Sequence, residues 1–398
     1  MRLRFNCRIY PTKEQEILLG QTFGCTRFVY NWGLDLRSKG WKDGLRIGYP
    51  ETSKDLTELK RDPRFPWLND VSSVPLQQSL RHLQTSFLNF FEKRTGYPTF
   101  KRKDGHQSAE YMKSAFSFDL ATRTLKLAKI GPIKVKWSRN LPSDPSSLVI
   151  SRNPAGQYHV SFVVEIPDVH LEKTGESVGV DFGISRLATL SNGERIANPK
   201  YGSRHAKRLA LLQCRLARKT KGSNRRKKAK LAVAKIHQKI SDSRKDAVNK
   251  FTTNLVKRFD TIYIEDLNLR GMVKNHNLAR SLHDASIGMA VQQLEYKCIR
   301  YGKTIQKIDR WFPSSKLCSK CGHLIKSLSL SVREWDCPNC GTHHDRDENA
   351  AENIKAVGQT VSVHGEGVRA VKTSVLKANP RRSANLQAGF PRAGIPLL

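Results

Sequence analysis

The chain has 398 residues, enough for two or three domains, and its 38% hydrophobic content supports a globular protein with at least one large core. Seventy Lys and Arg against thirty-five Asp and Glu give a net charge of +35, too widespread to come from one tail, so the expected partner is a polyanion. Nucleic acid fits better than a membrane, because the sequence holds no run of about eighteen apolar residues and its basic segments lack a sustained apolar face for a bilayer surface.

Leu3, Phe5, Cys7 and Ile9 alternate with basic or polar residues until Pro11, which predicts one half-buried strand. From Lys13 to about Phe91 the spacing turns helical, through Phe23, Val29, Trp32 and Leu36 and later Leu76, Leu80, Leu83 and Phe87. Breaks at 40–50 and 62–66 mark at least three helices. A basic linker around 101–103 leads into short alternating strands over 111–170, including 125–127, 133–135 and 158–166, expected to rejoin the first strand in a β-barrel. Phe90, Phe91, Tyr97 and Phe100 lie among Lys93, Arg94, Lys101 and Arg102 and are candidates for stacking on bases, although Phe90 and Phe91 also suit a core.

The block SVGVDFGISRLATLSNGERI reads as a strand, a tight turn at Gly183, a second strand and a hairpin at Asn192-Gly193. Between Lys200 and Lys250 there are eighteen Lys or Arg and two acids, Asp242 and Asp246, with a break at Gly222-Ser223-Asn224. This predicts a helical hairpin that contacts phosphates through residues such as Lys207, Arg208, Arg225, Arg226, Lys227 and Lys228. Leu209, Leu212, Leu216, Leu231, Ile236 and Ile240 supply the narrow apolar stripe that would hold it to the body. TIYIEDL forms a strand ending at Glu265; after a linker, 289–301 reads as a packed helix and 304–308 as a strand. Beyond Ile354 the chain is expected to be disordered or only locally structured. Cys7, Cys25, Cys214 and Cys298 have no paired spacing and read as free buried thiols in a reducing compartment.

Cys318-x-x-Cys321, fifteen residues and Cys337-x-x-Cys340 form two tight thiolate pairs, the donor set of a structural Zn²⁺ ribbon, with Gly322 and Gly341 in its knuckles. Trp311 and Phe312, just before it, are expected to pack and fix its docking, while Lys316, Lys320, Lys326 and Arg333 present charge to DNA. Three acids recur at strand ends or a helix start: Asp181, Glu265 and Asp347. Carboxylates are the hard ligands that Mg²⁺ or Mn²⁺ prefer, and such ions activate water at a phosphodiester. Alone, each acid is a turn or cap candidate; Asp345-x-x-Glu348 matches a capping box, and Asn349 is a candidate to orient a ligand or the scissile phosphate. Together, strand-hairpin with Asp, strand with Glu and helix with Asp follow the layout of an RNase H-like nuclease core.

RIYPT at 8–12, GCTRFVYN at 24–31, GVDFGI at 179–184, IEDLN at 264–268, WFPSSKLCSKCG at 311–322 and REWDCPNCGTHHDRDENAAENI at 333–354 resemble the TnpB family. These are RNA-guided nucleases of bacterial and archaeal insertion sequences, related to type V CRISPR effectors, and the resemblance runs from Met1 to Ile354. It implies an α/β multidomain chain. A wedge β-barrel of the oligonucleotide-binding type (1–12 and 104–172) would carry an inserted helical recognition domain (13–103). A RuvC-like, RNase H-type nuclease (173–315 and 342–356) would hold a zinc-ribbon insert (316–341) that binds target nucleic acid, with a tail over 357–398. It further implies a catalytic triad of Asp181, Glu265 and Asp347 and, as partners, a guide RNA from the transposon end and double-stranded target DNA read mainly by pairing. Tyr49, Ser53 and Gln77 would read a short adjacent DNA motif. A monomer in a bacterial or archaeal cytoplasm is the favoured state. A guided repressor without cutting, an RNase H-like transposase and a non-catalytic zinc-ribbon protein are the other readings.

Overall fold

The computed structural model describes residues 1–364, apart from Leu120, Ser138, Arg139, Asp168 and Leu330. They group into two compact units: Met1–Glu172 with Pro199–Asn254 and Gly288–Lys303, and Lys173–Asn198 with Leu255–Ile287 and the chain from Thr304 onward.

Strand β1 (Arg2–Tyr10) stops at Pro11, which lacks the amide a ladder needs. Thr12 then caps helix α1 (Lys13–Lys42): its hydroxyl accepts from the Gln15 amide while the Gln15 carboxamide oxygen accepts from the Thr12 amide. Helices α2 (Tyr49–Arg61) and α3 (Ser73–Phe91) pack on α1 around Val29, Leu56, Leu68, Leu76 and Leu80. Strands β2 (Gln107–Met112), β3 (Phe116–Asp119), β4 (Thr124–Leu127), β5 (Gly131–Lys136), β6 (Ser147–Arg152) and β7 (Tyr158–Glu165) join β1 in an antiparallel sheet of order β2-β6-β7-β1-β5-β4-β3. β3 and β7 stand four strands apart, about 19 Å in a flat sheet at ~4.8 Å spacing. Yet the Phe118 and Phe162 ring centroids are 5.9 Å apart, and Trp137 stacks on Phe162 at 5.2 Å. The sheet is therefore curled into a half-barrel over its own apolar face, which Leu19 and Phe23 of α1 help to fill.

The chain continues through β8 (Ser177–Phe182), β9 (Arg186–Leu190) and β10 (Arg195–Ala197), then helices α4 (Tyr201–Arg204), α5 (Ala206–Ala217) and α6 (Asn224–Arg258). Strand β11 (Thr261–Glu265), helices α7 (Leu269–Met272), α8 (His276–Ala285) and α9 (Ile287–Tyr301), strand β12 (Thr304–Ile308), hairpin β13 (Glu334–Asp336) and β14 (His343–Asp345), and helix α10 (Arg346–His364) complete it. In the first unit, α6 meets the β6–β7 turn, where the Asn153 carboxamide donates to Gln238 at 3.1 Å. Buried Lys297 of α9 donates to Asn249, Thr252 and Thr253 of α6. In the second unit the sheet order is β10-β9-β8-β11-β12, with β8, β11 and β12 parallel and β9 and β10 antiparallel to their neighbours.

Several expectations need correction. Residues 266–288, read as a linker, contain α7 and α8, started by Asn268 and Asn275, whose side chains accept from the Gly271 and Asn277 amides. Helix α10 runs to His364, so 357–364 is helical; the rest of the expected tail, 365–398, lies outside the described residues. Cys214 is exposed, and α5 buries none of its leucines, whereas Ile236 and Ile240 of α6 are buried as expected.

Helix α10 lies directly on β8. A Cβ added to Gly179 would stand 2.1 Å from the Ala351 carbonyl oxygen and 2.7 Å from the Lys355 nitrogen, both backbone atoms that cannot rotate away. Gly179→Ala is therefore expected to destabilise the protein by more than the ~1–3 kcal/mol of ordinary overpacking, read as a lower Tm in thermal denaturation.

Candidate active site and metal centre

Register brings two of the three acids together. Val180 pairs with Ile264 in the parallel β8–β11 ladder, so Asp181 and Glu265 come next on adjacent strands. Side chains alternate along a strand, so Gly179 and Asp181 share one face, as do Tyr263 and Glu265. Gly179 marks that face as the one α10 covers, and a Cβ on Gly358 of α10 would strike the Tyr263 ring. Along α10, Asp347, Ala351 and Lys355 are spaced by four, so the stripe that touches Gly179 carries Asp347 at its amino end. The structure thus brings Asp181, Glu265 and Asp347 to one end of one sheet.

Their electrostatics reflect that crowding. Burial and then repulsion from Glu265 and Asp347 push the Asp181 carboxyl up to about 8, against weaker opposition from Arg346 and Arg333. Burial also raises Glu265, while the Ser314 hydroxyl, which donates to its carboxylate, pulls it back. For Asp181 the folded pKa lies above the unfolded one, so between about pH 4 and 8 the folded state holds a proton that the unfolded chain lacks. Stability must fall as pH rises through that window. Asp181→Asn is therefore expected to raise the Tm of the metal-free protein at pH 8, by roughly a few degrees, and to match wild type near pH 4; equal melting at both pH values would contradict this.

Asp345 caps α10, accepting from the Asp347 and Glu348 amides at 3.0 and 3.2 Å. Burial raises its carboxyl, but the Glu348 amide with Arg186 and Arg195 outweighs that and holds it below the usual range. Arg186 lies 3.1 Å from Asp345 and 3.8 Å from Asp347, Arg195 bridges Asp345 and Glu348, and Arg333 reaches Asp347 at 3.5 Å. Asn349 does not face this site. It is buried, accepts from the Ser319 amide at 2.9 Å and donates to the Leu317 carbonyl at 2.8 Å. Asn353, one turn on, donates to the Ser314 and Leu317 carbonyls at 2.8 and 2.6 Å. The two asparagines clamp the 314–319 segment to α10, and Ser314 in that segment contacts Glu265. Ser314 and Asn353 lie inside the sequence motifs at 311–322 and 333–354, but their roles depend on partners that only the fold brings near.

The four ribbon cysteines converge, with ligand atoms all within 4.8 Å of one another. Sulfurs around zinc at ~2.3 Å stand about 3.8 Å apart along a tetrahedron's edges, whereas a disulfide holds them at ~2.05 Å. Cys318 and Cys340 sulfurs are 3.7 Å apart, and those of Cys321 and Cys337 are 3.6 Å apart. The knuckles match each other: the Gly322 and Gly341 amides donate to the Cys318 and Cys337 carbonyls, with φ of 72° and 70°. Thr342 bonds to the Cys340 thiol and lowers it to about 6, and His344 Nε2 lies 3.1 Å from Cys318 Sγ. Trp335 packs on His344 and completes a small core with Cys318 and Cys337. Trp311, expected to pack, is 85% exposed instead; only Phe312 enters the core, beside Tyr263, Ile308 and Ile354.

Among the candidate nucleic-acid contacts, Lys207, Arg208, Arg225, Lys227 and Lys228 are exposed on α5 and α6. Arg226 is half-buried and donates to the Leu216 and Lys219 carbonyls, closing the end of α5. Tyr49 lies under the Arg81 guanidinium and accepts from its Nε at 3.1 Å; Ser53 is half-buried and Gln77 exposed. Phe91, Tyr97 and Phe100 are exposed, with Phe90 and Tyr97 in edge contact. Among the described residues no helix is long and apolar enough to cross a membrane.

The fold defines the class. The chain in the "Cryo-EM structure of the Cas12f1-sgRNA-target DNA complex" superposes with a TM-score of 0.54 at 12% identity, over 89% of this chain and 98% of that one, so the two share a fold. Three family profiles also match: "Probable transposase" (OrfB of the IS605 group) over residues 161–276, "Cas12f1-like, TNB domain" over 288–354 and "Helix-turn-helix domain" over 1–46. The last region here holds β1 and the single 30-residue helix α1. The chain is 46% identical over 399 residues to the "Putative RNA-guided DNA endonuclease" of Streptomyces pristinaespiralis, spanning 98% of each. It is 30% identical to the "Putative RNA-guided DNA endonuclease InsQ" of Escherichia coli (strain K12), over 94% of this chain and 96% of that protein. The chain belongs to this family, the TnpB family.

Proposed function

We propose that the protein is an RNA-guided DNA endonuclease of an insertion sequence. It hydrolyses target DNA beside a short adjacent motif, with Asp181, Glu265 and Asp347 as the catalytic, metal-holding carboxylates of an RNase H-like (RuvC) core. The observation that carries this reading is the meeting of these acids at one end of one sheet, where burial and then repulsion from Glu265 and Asp347 push Asp181 up to about 8, a buried negative cluster that a divalent cation relieves. The donor set, all carboxylate oxygen, fits Mg²⁺ or Mn²⁺. When bound, such ions would supply an activated water and a clamp on the leaving oxygen. The chain's own part is to hold the carboxylates: the ladder fixes Asp181 beside Glu265, Ser314 orients Glu265, and the Asp345 cap with Arg186 and Arg195 fixes the turn that bears Asp347.

The sulfur separations support a structural Zn²⁺ on Cys318, Cys321, Cys337 and Cys340 in a target-binding ribbon. The exposed cations of α5 and α6 support a transposon-end RNA as the guide, and double-stranded DNA is the target. The half-barrel would be the wedge and α1–α3 the recognition helices, Tyr49, Ser53 and Gln77 reading the motif. This reading places a monomer in a bacterial or archaeal cytoplasm. Three intact acids argue against a non-cutting repressor.

The test is cleavage of a double-stranded plasmid by protein co-expressed with the RNA encoded downstream of its gene, in Mg²⁺ or EDTA. Guide-dependent breaks in Mg²⁺ alone, leaving free ends, are expected. Ends joined to another DNA would favour a transposase, and guided binding without breaks a repressor.

A further inference from the structure

Trp311 is the most exposed large apolar side chain among the described residues, at 85%. Its neighbours are held firmly. Its amide donates to Asp309 Oδ1 at 2.7 Å, and the Phe312 amide donates to the Asp309 carbonyl at 3.3 Å. Arg310 grips Asp266, donating from Nε to the carbonyl at 2.9 Å and from Nη2 to the carboxylate at 2.6 Å. Phe312 is seated in the core with Tyr263, Ile308 and Ile354, and the Ser314 amide donates back to the Phe312 carbonyl at 2.8 Å. The backbone is thus fixed on both sides of an indole that lies outside the core. Trp67, Trp137 and Trp335, by contrast, each pack against another ring.

The position of the ring is specific. Arg310 is tied to the residue after Glu265, and Ser314, three residues beyond Trp311, bonds to Glu265 itself. Three residues of backbone span at most about 10 Å, so Trp311 stands beside the carboxylate cluster. We propose that Trp311 is a stacking platform for one unpaired nucleobase of the DNA strand presented to Asp181, Glu265 and Asp347. The proposal rests on the nuclease reading above for its substrate. A single held ring suits a flat, one-faced ligand: every base offers a π-face, so stacking here is tolerant of sequence. Lys316, five residues further along the chain, adds positive charge for the adjoining phosphates. A protein partner is the poorer occupant, because a stable interface covers ~800 Å² on each side, and Trp311 is a single exposed ring beside a partly buried Phe312.

The experiment uses the full chain with its guide RNA. Tryptophan fluorescence is titrated with single-stranded oligothymidylate without divalent metal, and cleavage of a single-stranded substrate is then measured in Mg²⁺. Wild type should show quenching that Trp311→Ala lacks. Trp311→Ala should bind the oligonucleotide about 5- to 100-fold more weakly, with KM raised, kcat nearly unchanged and guide-RNA affinity intact. Trp311→Phe should recover most of the binding. Equal oligonucleotide affinity in wild type and Trp311→Ala would overturn the proposal, as would a concentration-dependent dimer that Trp311→Ala abolishes, which would assign the ring to self-association. If quenching depends on Trp311 but no variant or wild type cuts in Mg²⁺, stacking stands and the hydrolytic reading fails. Cutting with unchanged KM in Trp311→Ala would instead sink the stacking platform and leave the hydrolytic reading standing.

Discussion

Asp347→Ala, loaded with its guide RNA, is expected to lose target cleavage by at least about a thousandfold, equivalent to ~4 kcal/mol of transition-state stabilisation, while keeping guide-RNA affinity within about twofold. The separation follows from what Asp347 does and does not touch. Its ion pairs with Arg333 and Arg186 are long, at 3.5 and 3.8 Å, and Arg333 is largely exposed, so they contribute little to folding. As an acid in the first turn of α10 it adds the ~0.3–1 kcal/mol of a helix-dipole interaction. The cap of that helix is Asp345, which the substitution leaves in place. What is removed is one of the two carboxylates that, after burial, push Asp181 up to about 8. Asp181→Ala should behave in the same way. Asp347→Asn, nearly isosteric, guards against a packing artefact. Retained cleavage in these variants would remove the triad from the mechanism. Joint loss of cleavage and RNA binding would mean that the acids hold the fold.

The second large effect is expected from the ribbon. Replacing Cys337 and Cys340 by Ser should drop bound zinc from one ion per chain to none, measured by elemental analysis, and expose 316–341 to proteases. Structural zinc contributes an apparent ~10–16 kcal/mol in small metal-bound domains, far more than the small core around Trp335 can replace. The damage should spread beyond the ribbon. Cys318 and Ser319 continue directly from the 314–317 segment whose carbonyls Asn349 and Asn353 hold, and Ser314 bonds to Glu265. Cleavage should therefore fall by about tenfold or more, whereas Ser substitution at exposed Cys214, outside the cluster, should leave zinc unchanged. Full zinc occupancy in the double variant would reject the ribbon assignment.

Much of this was legible because the signals are local. The alternation of Phe5, Cys7 and Ile9, the Asn192-Gly193 hairpin and the paired C-x-x-C turns each impose their geometry over a few residues. The acids could be grouped because each ends a run of strand or begins a helix. What was missed depends on side chains meeting across the chain. Residues 266–288 are polar enough to read as linker, and their helices start from Asn268 and Asn275, which also suit turns. Arg226 looks like any cation in a basic run until its Nη1 is found bonded to the Leu216 and Lys219 carbonyls. Asn349 stands two residues from Asp347, which suggests a ligand, but a helix turns 100° per residue and directs it to another face. Trp311 beside Phe312 and Pro313 reads as core, and only the structure separates the partly buried ring from the exposed one.

Asn349 and Asn353 stand one turn apart on α10 and grasp main-chain carbonyls of the 314–317 segment, never its side chains. A grip on backbone is blind to sequence. The two carbonyls it holds, those of Ser314 and Leu317, are present whatever side chains those positions carry. The two asparagines thus set where the 314–317 stretch of backbone crosses α10, while Lys320 on Glu352 and Arg333 on Asp347 add contacts that do depend on the side chains the ribbon carries.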